Sequence, residues 1–287
     1  MSIYQNQKSF IPAASDLTIR GVEHARNLDK FYTKPEIARQ CVDDFERWTS
    51  IDLALTKVDI LEPSAGAGAF LDFLPARTTA YDLLPEDPRV ARQDFLKLQR
   101  RLPAIVIGNP PFGKACRLAI AFFNHAATFA DQIGFIVPRT FQKSSIQNRL
   151  VPQFHLLSQR VLDRDSFTFE GKNHPVSCVF QVWERRDELR PKIKLPIIHP
   201  DFKFVAREDA DFAVQRVGSR AGAVTENCEN LAETSHYFLR ANGNIEGLLA
   251  SFRAIDFSET KARSAGQASI AKTELVAHYS DFKAKLR

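Results

Sequence analysis

From about residue 56 onward, the chain alternates short apolar runs with longer segments that carry apolar residues at helical spacing. Short apolar runs predict buried β-strands, and helical spacing predicts amphipathic helices. The five candidate strands are 58–63, 78–82, 104–108, 133–138 and 176–183. Strands that alternate with helices are typical of an α/β fold, in which helices cover both faces of a mostly parallel sheet.

Three segments before and between these strands have the spacing of helices. Residues 34–48 begin with Lys34 and Pro35, and proline is favoured in the first turn of a helix. Residues 116–130 leave one broad apolar face, and residues 68–74 (GAFLDFL) are also helix-like. These segments supply the helices that an α/β fold requires.

The composition of the chain changes after Trp183. Residues 184–196 are charged and contain two prolines, which predicts an exposed connection. Short β-like segments follow at 202–206, 212–217 and 236–241. We therefore predict a first domain over residues 1–190 and a small mixed α/β region over residues 191–287.

Composition and charge limit the class of protein. Of the residues, 44% are hydrophobic and 25% are charged, which is ordinary for a soluble globular chain. No apolar run is long enough to span a bilayer, and the N-terminus MSIYQNQKSF lacks the apolar core of a signal peptide. We therefore expect a cytoplasmic protein of prokaryotic or phage type without a membrane partner.

Charge and cysteine content bear on partners and metals. The net charge of +5 and the pI of about 9.0 suit a polyanionic partner such as nucleic acid. The 4 cysteines are far apart and form no CxxC pair. We therefore expect neither a zinc site nor a disulfide framework, and no metal in the site.

A glycine-containing loop follows the first predicted strand in LEPSAGAG (61–68). Glu62 ends the strand, and residues 65–68 form a turn that we expect to open a helix. Glycines let the backbone pass close to a ligand because no Cβ stands in the way. The full GxGxxG pattern of a pyrophosphate loop is absent, and the acidic Glu62 favours a ligand with a cationic end.

Acidic and aromatic residues follow this loop in the order that a nucleoside pocket requires. Asp82 ends the second predicted strand, twenty residues after Glu62, where a carboxylate can accept hydrogen bonds from ribose hydroxyls. Asp94 is placed to accept from an exocyclic amine, and Phe95 is placed to pack on a purine ring.

The tetrapeptide NPPF (109–112) directly follows the strand predicted at 104–108. Two consecutive prolines fix two φ angles and remove two backbone donors, so the corner is rigid. Ligands of open α/β sheets bind at the carboxyl ends of the strands, and we therefore expect Asn109 to face the same crevice as Glu62 and Asp82.

The chemistry of NPPF suits an exocyclic amine. Such an amine is a poor nucleophile because its lone pair is delocalised into the ring. Two acceptors at a fixed spacing, the Asn109 side-chain oxygen and the Pro110 carbonyl, would grip its two hydrogens and free the lone pair. Phe112 would stack on the base.

These motifs together resemble the S-adenosylmethionine-dependent N6-adenine DNA methyltransferases. FYTKP (31–35) resembles their N-terminal cofactor motif, EPSAGAG (62–68) their cofactor loop and NPPF their catalytic motif, in the gamma order. The resemblance covers about residues 31–183. It implies a Rossmann-like class I methyltransferase domain with a seven-stranded sheet, S-adenosylmethionine as cofactor, and a base flipped out of the DNA.

The resemblance also implies the roles of particular residues. The cofactor-binding residues, in order from the methionine end through the sulfonium and ribose to the adenine, are Phe31, Tyr32, Thr33, Pro35, Glu62, Ala65, Gly66, Gly68, Asp82, Asp94 and Phe95. The catalytic residues are Asn109, Pro110, Pro111 and Phe112. A second ring that sandwiches the base is assigned to Phe169, with Phe167 as the alternative.

The C-terminal region is the candidate for target recognition, with Arg216, Arg220 and residues 264–275 as its candidate contacts. Three other functions stay open: an RNA adenine methyltransferase, a protein-glutamine methyltransferase, and a nucleic-acid-binding module with an inactive site. The glutamine enzymes typically carry NPPY, which Phe112 does not match. An inactive site is not expected to preserve the loop, Asp82 and NPPF together. The recognition sequence and the oligomeric state are not readable from the sequence.

Overall fold

A computed structural model describes residues 31–100, 102–169, 172–264 and 266–286. The segment considered above for a signal peptide lies outside the described residues. The strands are β1 Tyr32–Thr33, β2 Asp59–Glu62, β3 Thr79–Asp82, β4 Val90–Arg92, β5 Ala104–Gly108, β6 Ala130–Pro138, β7 Phe154–Val161, β8 Phe167–Phe169, β9 Lys172–His174, β10 Cys178–Arg185, β11 Phe202–Phe204, β12 Phe212–Gln215, β13 Val224–Thr225 and β14 His236–Ala241. The helices are α1 Pro35–Thr49, α2 Arg117–Ala126, α3 Ser144–Gln147, α4 Ile245–Ala254, α5 Ser258–Ala262 and α6 Lys272–Lys285.

The largest sheet has seven strands in the spatial order β4-β3-β2-β5-β6-β10-β7. Strand β10 runs antiparallel to both of its neighbours, and the other pairs are parallel. Helix α1 and helix α2 belong to two different hydrophobic clusters, one on each face of the sheet. The predicted fold class is therefore confirmed: an α/β sheet with the strand order of a class I methyltransferase.

The five strands predicted from apolar runs are all present, and they occupy the inner positions β3, β2, β5, β6 and β10. Every residue of β5 is buried, as expected for a parallel strand covered on both faces. The two strands that the pattern missed, β4 and β7, are the edges of the sheet. Edge strands are half exposed and polar, so they leave no apolar run in the sequence.

Helix α1 confirms the segment predicted at 34–48. Pro35 is its first residue, and its buried face is formed by Ile37, Cys41, Val42 and Phe45. Helix α2 confirms most of the segment predicted at 116–130, and that segment ends where β6 begins at residue 130.

The helix predicted at 68–74 is wrong, because this segment consists of successive turns. The Gly68 amide donates to the Ala65 carbonyl at 2.7 Å, and the Leu71 amide donates to the Gly68 carbonyl at 2.9 Å. Gly68 has a φ of 81°, which lies outside the right-handed helical region, and Pro75 ends the segment. Too few residues remain between them for a stable helix.

A second sheet, with three strands in the order β1-β8-β9, was not predicted. It pairs the FYTKP segment with the hairpin that precedes β10, in the register Tyr32 to Thr168 and Thr33 to Phe167. The Lys34 amide extends the pairing by donating to the Ser166 carbonyl at 3.1 Å. This sheet fixes the N-terminal motif beside the large sheet.

The C-terminal region has a four-stranded antiparallel sheet in the order β11-β14-β12-β13. All three β-like segments predicted there are strands. Helices α4 and α6 pack on it around a separate hydrophobic cluster that includes Phe202, Phe212, Leu239, Phe252 and Tyr279. The predicted division of the chain at residue 190 stays a prediction. Over the described residues, no helix is both long and apolar enough to cross a bilayer.

Gly134 of β6 lies under helix α1, and we expect any larger residue there to overpack the core. A Cβ at this position would lie 2.7 Å from Cδ2 of Phe45 and 3.1 Å from Cζ of Phe180. Gly134→Ala should lower the free energy of unfolding by about 1–3 kcal/mol, measured by urea denaturation. Gly243→Ala is the matched control, since no described atom lies within 4 Å of a Cβ there. An equal decrease in the free energy of unfolding in the two variants would contradict the close packing at Gly134.

Candidate active site

A cavity of about 410 Å³ opens where β2, β3 and β5 end. Most of the predicted site residues line it together. These are Phe31, Tyr32, Thr33, Pro35, Glu62, Ala65, Gly66, Asp82, Asp94, Phe95, Asn109, Pro110, Pro111 and Phe112. Gly68 and Phe169 are not among the lining residues. Residues that sequence reasoning did not single out also line the cavity, among them Ser64, Glu86, Leu118 and Phe122.

The register of the parallel strands brings these residues together. Leu61 of β2 pairs with Thr79 of β3 and with Val106 of β5, so the three strands end at the same edge of the sheet. Gly108 ends β5 against Glu62, and a Cβ there would lie 3.1 Å from the Glu62 Cγ. A glycine is therefore needed where NPPF meets the acidic strand end.

The glycine loop is folded around Asp82. Gly66 has a φ of 52°, its amide donates to Asp82 Oδ2 at 3.0 Å, and its carbonyl accepts from the Glu86 amide at 3.0 Å. Asp82 Oδ1 accepts from the Leu84 amide at 2.8 Å. The Asp82 carboxylate therefore organises the loop, in addition to any contact it makes with a ligand.

Gly68 has a different place from the one the sequence predicted. Its φ is 81°, and a Cβ would lie 2.6 Å from Asp87 Oδ2. The Asp87 carboxylate in turn binds Arg89 at 2.7 Å. Gly68 thus allows this ion pair to approach the loop and does not line the cavity.

The two residues predicted at the adenine end have structural partners of their own. Asp94 Oδ1 accepts from the Leu96 amide at 3.1 Å and caps a short 3-10 turn. Phe95 is 1% exposed, and its ring lies 5.2 Å from that of Phe122 and 5.1 Å from that of His125. Phe122 is an ordinary core position of helix α2, and no sequence signal marks it as a cavity residue.

Glu62 is 2% exposed, and its Oε2 atom has no hydrogen-bond partner among the described residues. Burial, together with the nearby charge of Asp82, raises the pKa of the Glu62 carboxyl to about 8. This shift favours the neutral form of the side chain in the unliganded protein. A buried carboxyl without a partner fits a cationic group of a ligand, which would satisfy Oε2 and favour the ionised form.

Asn109 is bonded at both its side chain and its backbone. Its Nδ2 donates to Thr33 Oγ1 at 3.1 Å and to the Phe31 carbonyl at 3.4 Å, and its carbonyl accepts from Ser64 Oγ at 2.8 Å. Its Oδ1 is buried without a partner in the described part of the chain. Phe112 is 7% exposed, with its ring 6.3 Å from that of Phe31. The cavity lining therefore includes a residue with an unpaired acceptor oxygen and an aromatic ring.

The remaining predicted contacts lie away from this cavity or lack a described side chain. Phe167 is fully buried in the core, and Phe169 belongs to β8 with its side chain outside the described residues. Arg216 donates to the Thr234 carbonyl at 2.9 Å and lies 5.2 Å from the ring centre of Tyr237, whereas Arg220 is exposed. The assignments of Phe169 and of the recognition residues stay predictions.

The sequence matches no protein-family model and no curated protein. The fold resembles several solved methyltransferases. A type I restriction-modification methyltransferase subunit from Streptococcus thermophilus has 11% identity and a TM-score of 0.41, over 88% of this chain and 59% of that one. A putative RNA methyltransferase from Pyrococcus horikoshii has 13% identity and a TM-score of 0.39, over 52% of this chain and 83% of that one.

A third similar structure is magnesium protoporphyrin IX methyltransferase from Synechocystis PCC 6803, which was solved with bound S-adenosylmethionine. It has 13% identity and a TM-score of 0.34, over 60% of this chain and 94% of that one. Identities and TM-scores this low carry no argument about activity, substrate or partner. The function proposed below therefore depends on the residues of the site.

Glu62→Gln should make the cofactor-free protein more stable at alkaline pH. The Glu62 pKa is about 8 in the folded state against an ordinary value of 4.5, so the folded state keeps a proton that the unfolded state has released. The stability linked to this proton is complete below pH 4.5 and is lost as the pH rises through 8. A neutral amide avoids this loss and should add on the order of 3–5 kcal/mol at pH ~9.

Urea denaturation of both proteins at pH ~5 and pH ~9 would measure this gain, which should be small at the lower pH. Asp59→Asn is the matched control, because Asp59 lies at the other end of β2, is 55% exposed and pairs with Arg100. It should show no comparable gain at the higher pH. A Glu62→Gln variant that is no more stable than the parent at pH ~9 would show that the carboxyl is not buried and neutral.

Proposed function

We propose that this protein transfers a methyl group from S-adenosylmethionine to the N6 amine of adenine in DNA, with the base extruded into the cavity. One observation carries the proposal. The Asn109 amide is held by its nitrogen, and its buried oxygen has no partner among the described residues. An acceptor kept in this state just after β5, on a residue that lines the same cavity as Phe112, is suited to an amine donor.

The cavity residues fit the cofactor. S-adenosylmethionine has a cationic amino-acid end and a nucleoside end, and it supplies an electrophilic methyl group when bound. The unpaired Oε2 of Glu62 is suited to the cationic end. Asp82 and the loop that it organises are suited to the ribose, and the apolar wall near Phe95 is suited to the adenine ring. These assignments follow the family resemblance and the arrangement of the cavity.

The residues of NPPF would act on the target amine by holding it. Asn109 Oδ1 and the Pro110 carbonyl would accept its two hydrogens, and the two prolines keep these acceptors at a fixed spacing. The nitrogen lone pair then points away from the ring plane, toward the methyl donor. Phe112 would stack on the base. The amine proton becomes acidic once the nitrogen carries the methyl group, so a dedicated base is not required.

DNA is proposed as the polymer, ahead of RNA, because of the family resemblance. The motifs FYTKP, EPSAGAG and NPPF resemble those of the DNA enzymes and occur in their gamma order. The net charge of +5 suits either polyanion. The C-terminal region would supply phosphate contacts, and the exposed Arg220 is one candidate. RNA is the other outcome that the following experiment distinguishes.

The purified protein should transfer labelled methyl groups from S-adenosylmethionine to duplex DNA. The experiment compares duplex DNA, single-stranded DNA and RNA in parallel, followed by digestion to nucleosides and identification of the methylated base. N6-methyladenine from DNA is the expected product. The same base from RNA alone would make this an RNA enzyme, and no methylated nucleoside from any polymer would contradict the proposal.

Asn109→Ala should abolish most of the methyl transfer and leave cofactor binding nearly unchanged. Loss of one preorganised electrostatic contact typically costs on the order of 10²–10³ in rate. Single-turnover kinetics would measure the transfer step, and calorimetry would measure the affinity for S-adenosylmethionine. Asn148→Ala is the matched control, since its amide bonds Ile193 and lies outside the cavity lining. If Asn109→Ala transferred methyl groups at the parental rate, the acceptor role of Asn109 would be wrong.

A further inference from the structure

The side-chain amide of Asn109 has two ends of nearly equal shape and opposite hydrogen-bonding character. Oδ1 only accepts and Nδ2 only donates, so a turned-over amide would present a donor to the target amine and repel it. We propose that Thr33 is a positioning residue that, together with the Phe31 carbonyl, holds the amide nitrogen and so keeps the oxygen toward the substrate. This inference rests on the proposed function and deepens it.

The contacts of the nitrogen determine the orientation of the amide. Nδ2 donates to Thr33 Oγ1 at 3.1 Å and to the Phe31 carbonyl at 3.4 Å. A backbone carbonyl has no donor, so turning the amide over would place Oδ1 against the Phe31 oxygen. The bond to Thr33 is the shorter of the two and the closer to ideal length. A hydroxyl donates as well as accepts, so the Phe31 carbonyl decides which end of the amide lies here, and the Thr33 hydroxyl restrains the nitrogen once it is in place.

The hydroxyl of Thr33 is itself held in place. Thr33 is 7% exposed and pairs with Phe167, which is fully buried. The next residue, Lys34, continues the pairing to Ser166. A β-branched side chain has few χ1 rotamers in a strand, so the hydroxyl position follows from the backbone of β1. A bond in such a shielded position does not compete with bulk water.

The backbone of Asn109 is fixed independently. Ser64, in the loop after β2, donates its hydroxyl to the Asn109 carbonyl at 2.8 Å. The two prolines that follow restrict the backbone further. The two side-chain rotations, χ1 and χ2, are then the remaining freedoms of this residue, and the contacts with the N-terminal motif restrain them.

This role differs from the one that the family resemblance implies for Thr33. There, Thr33 lines the methionine end of the cofactor, and its loss would weaken the affinity for S-adenosylmethionine. As a positioning residue it acts on the transfer step through Asn109. The two roles therefore predict changes in different measured quantities.

Thr33→Val keeps the shape of the side chain and removes the acceptor. We expect the single-turnover rate of methyl transfer to fall about tenfold, the equivalent of one neutral hydrogen bond. The affinity for S-adenosylmethionine and the KM for DNA should stay unchanged. Thr33→Ser keeps the hydroxyl and should restore most of the rate. Thr168→Val is the matched control, since Thr168 pairs with Tyr32 on the adjacent strand of the same sheet.

A second measurement reports on the amide without requiring activity. In protein labelled with ¹⁵N-asparagine, the side-chain NH₂ signals of Asn109 are assigned by their absence in Asn109→Ala. In the parent protein, these two protons should exchange slowly with solvent, because both are hydrogen-bonded. Thr33→Val should increase the rate at which these protons exchange with solvent and should change the chemical shift of at least one of them. Thr168→Val should leave both quantities unchanged.

The outcomes separate this inference from the proposed function. Weaker cofactor binding with an unchanged transfer rate in Thr33→Val would overturn the positioning role in favour of a cofactor contact. An equal loss of transfer rate in Thr33→Ser and Thr33→Val would show that the rate does not depend on the hydroxyl. That result would also overturn the positioning role. If the parent protein methylates no polymer, the proposed function fails, and unchanged Asn109 NH₂ signals in Thr33→Val would then overturn the positioning role by themselves.

Discussion

The hydrogen bonds of the Asn109 amide join two parts of the chain that are more than seventy residues apart. They require β1 to lie beside the end of β5, and β1 reaches that place because it pairs with β8. The β8-β9 hairpin in turn leads directly into β10, which is the strand of the large sheet that lies between β6 and β7. The geometry of one side chain at the cavity therefore depends on the pairing of both sheets.

This arrangement has a cost in stability. An unpaired buried polar group costs about 1–3 kcal/mol, and two residues that line the cavity, Glu62 and Asn109, each carry one such atom. The described residues include four further unpaired atoms, so burial without a partner is not specific to a site. What distinguishes Glu62 and Asn109 is that they end neighbouring strands and line the same cavity. Departures from good hydrogen bonding that concentrate in one cavity are typical of functional sites.

The parts of the fold that follow from local physics were predictable. The inner strands are continuous apolar runs because they are buried on both faces, and helix α1 has a clear amphipathic face with Pro35 at its start. The edge strands β4 and β7 and the turns at 68–74 were missed, because their sequences carry weak or conflicting signals. In the turns at 68–74, the apolar residues have helical spacing, but Gly68 has a positive φ that is incompatible with a right-handed helix.

The candidate site was predictable in its composition and much less in its detail. Motif order at strand ends was enough to place Glu62, Asp82 and Asn109 around one cavity, because parallel strands end at a common edge. The orientation of the Asn109 amide was not predictable, since it depends on Thr33 and on the three-stranded sheet. No local sequence pattern predicts that sheet. The close approach of Asp87 to Gly68 was also not predictable, because it depends on how the chain folds between these two residues.

The C-terminal region is also attached to the rest of the protein by contacts between residues that are far apart in the sequence. Lys143 binds Glu274 at 3.3 Å, and both side chains are only 12% exposed. The Lys143 ammonium also donates to the Ser269 carbonyl at 3.4 Å, so both contacts connect the region to the segment that follows β6. In that segment, Thr140 contacts Cys116 at 2.9 Å, four residues beyond NPPF. If the region binds DNA as proposed, these contacts join it to the part of the chain that carries Asn109, and a base reaches Asn109 by extrusion from the DNA.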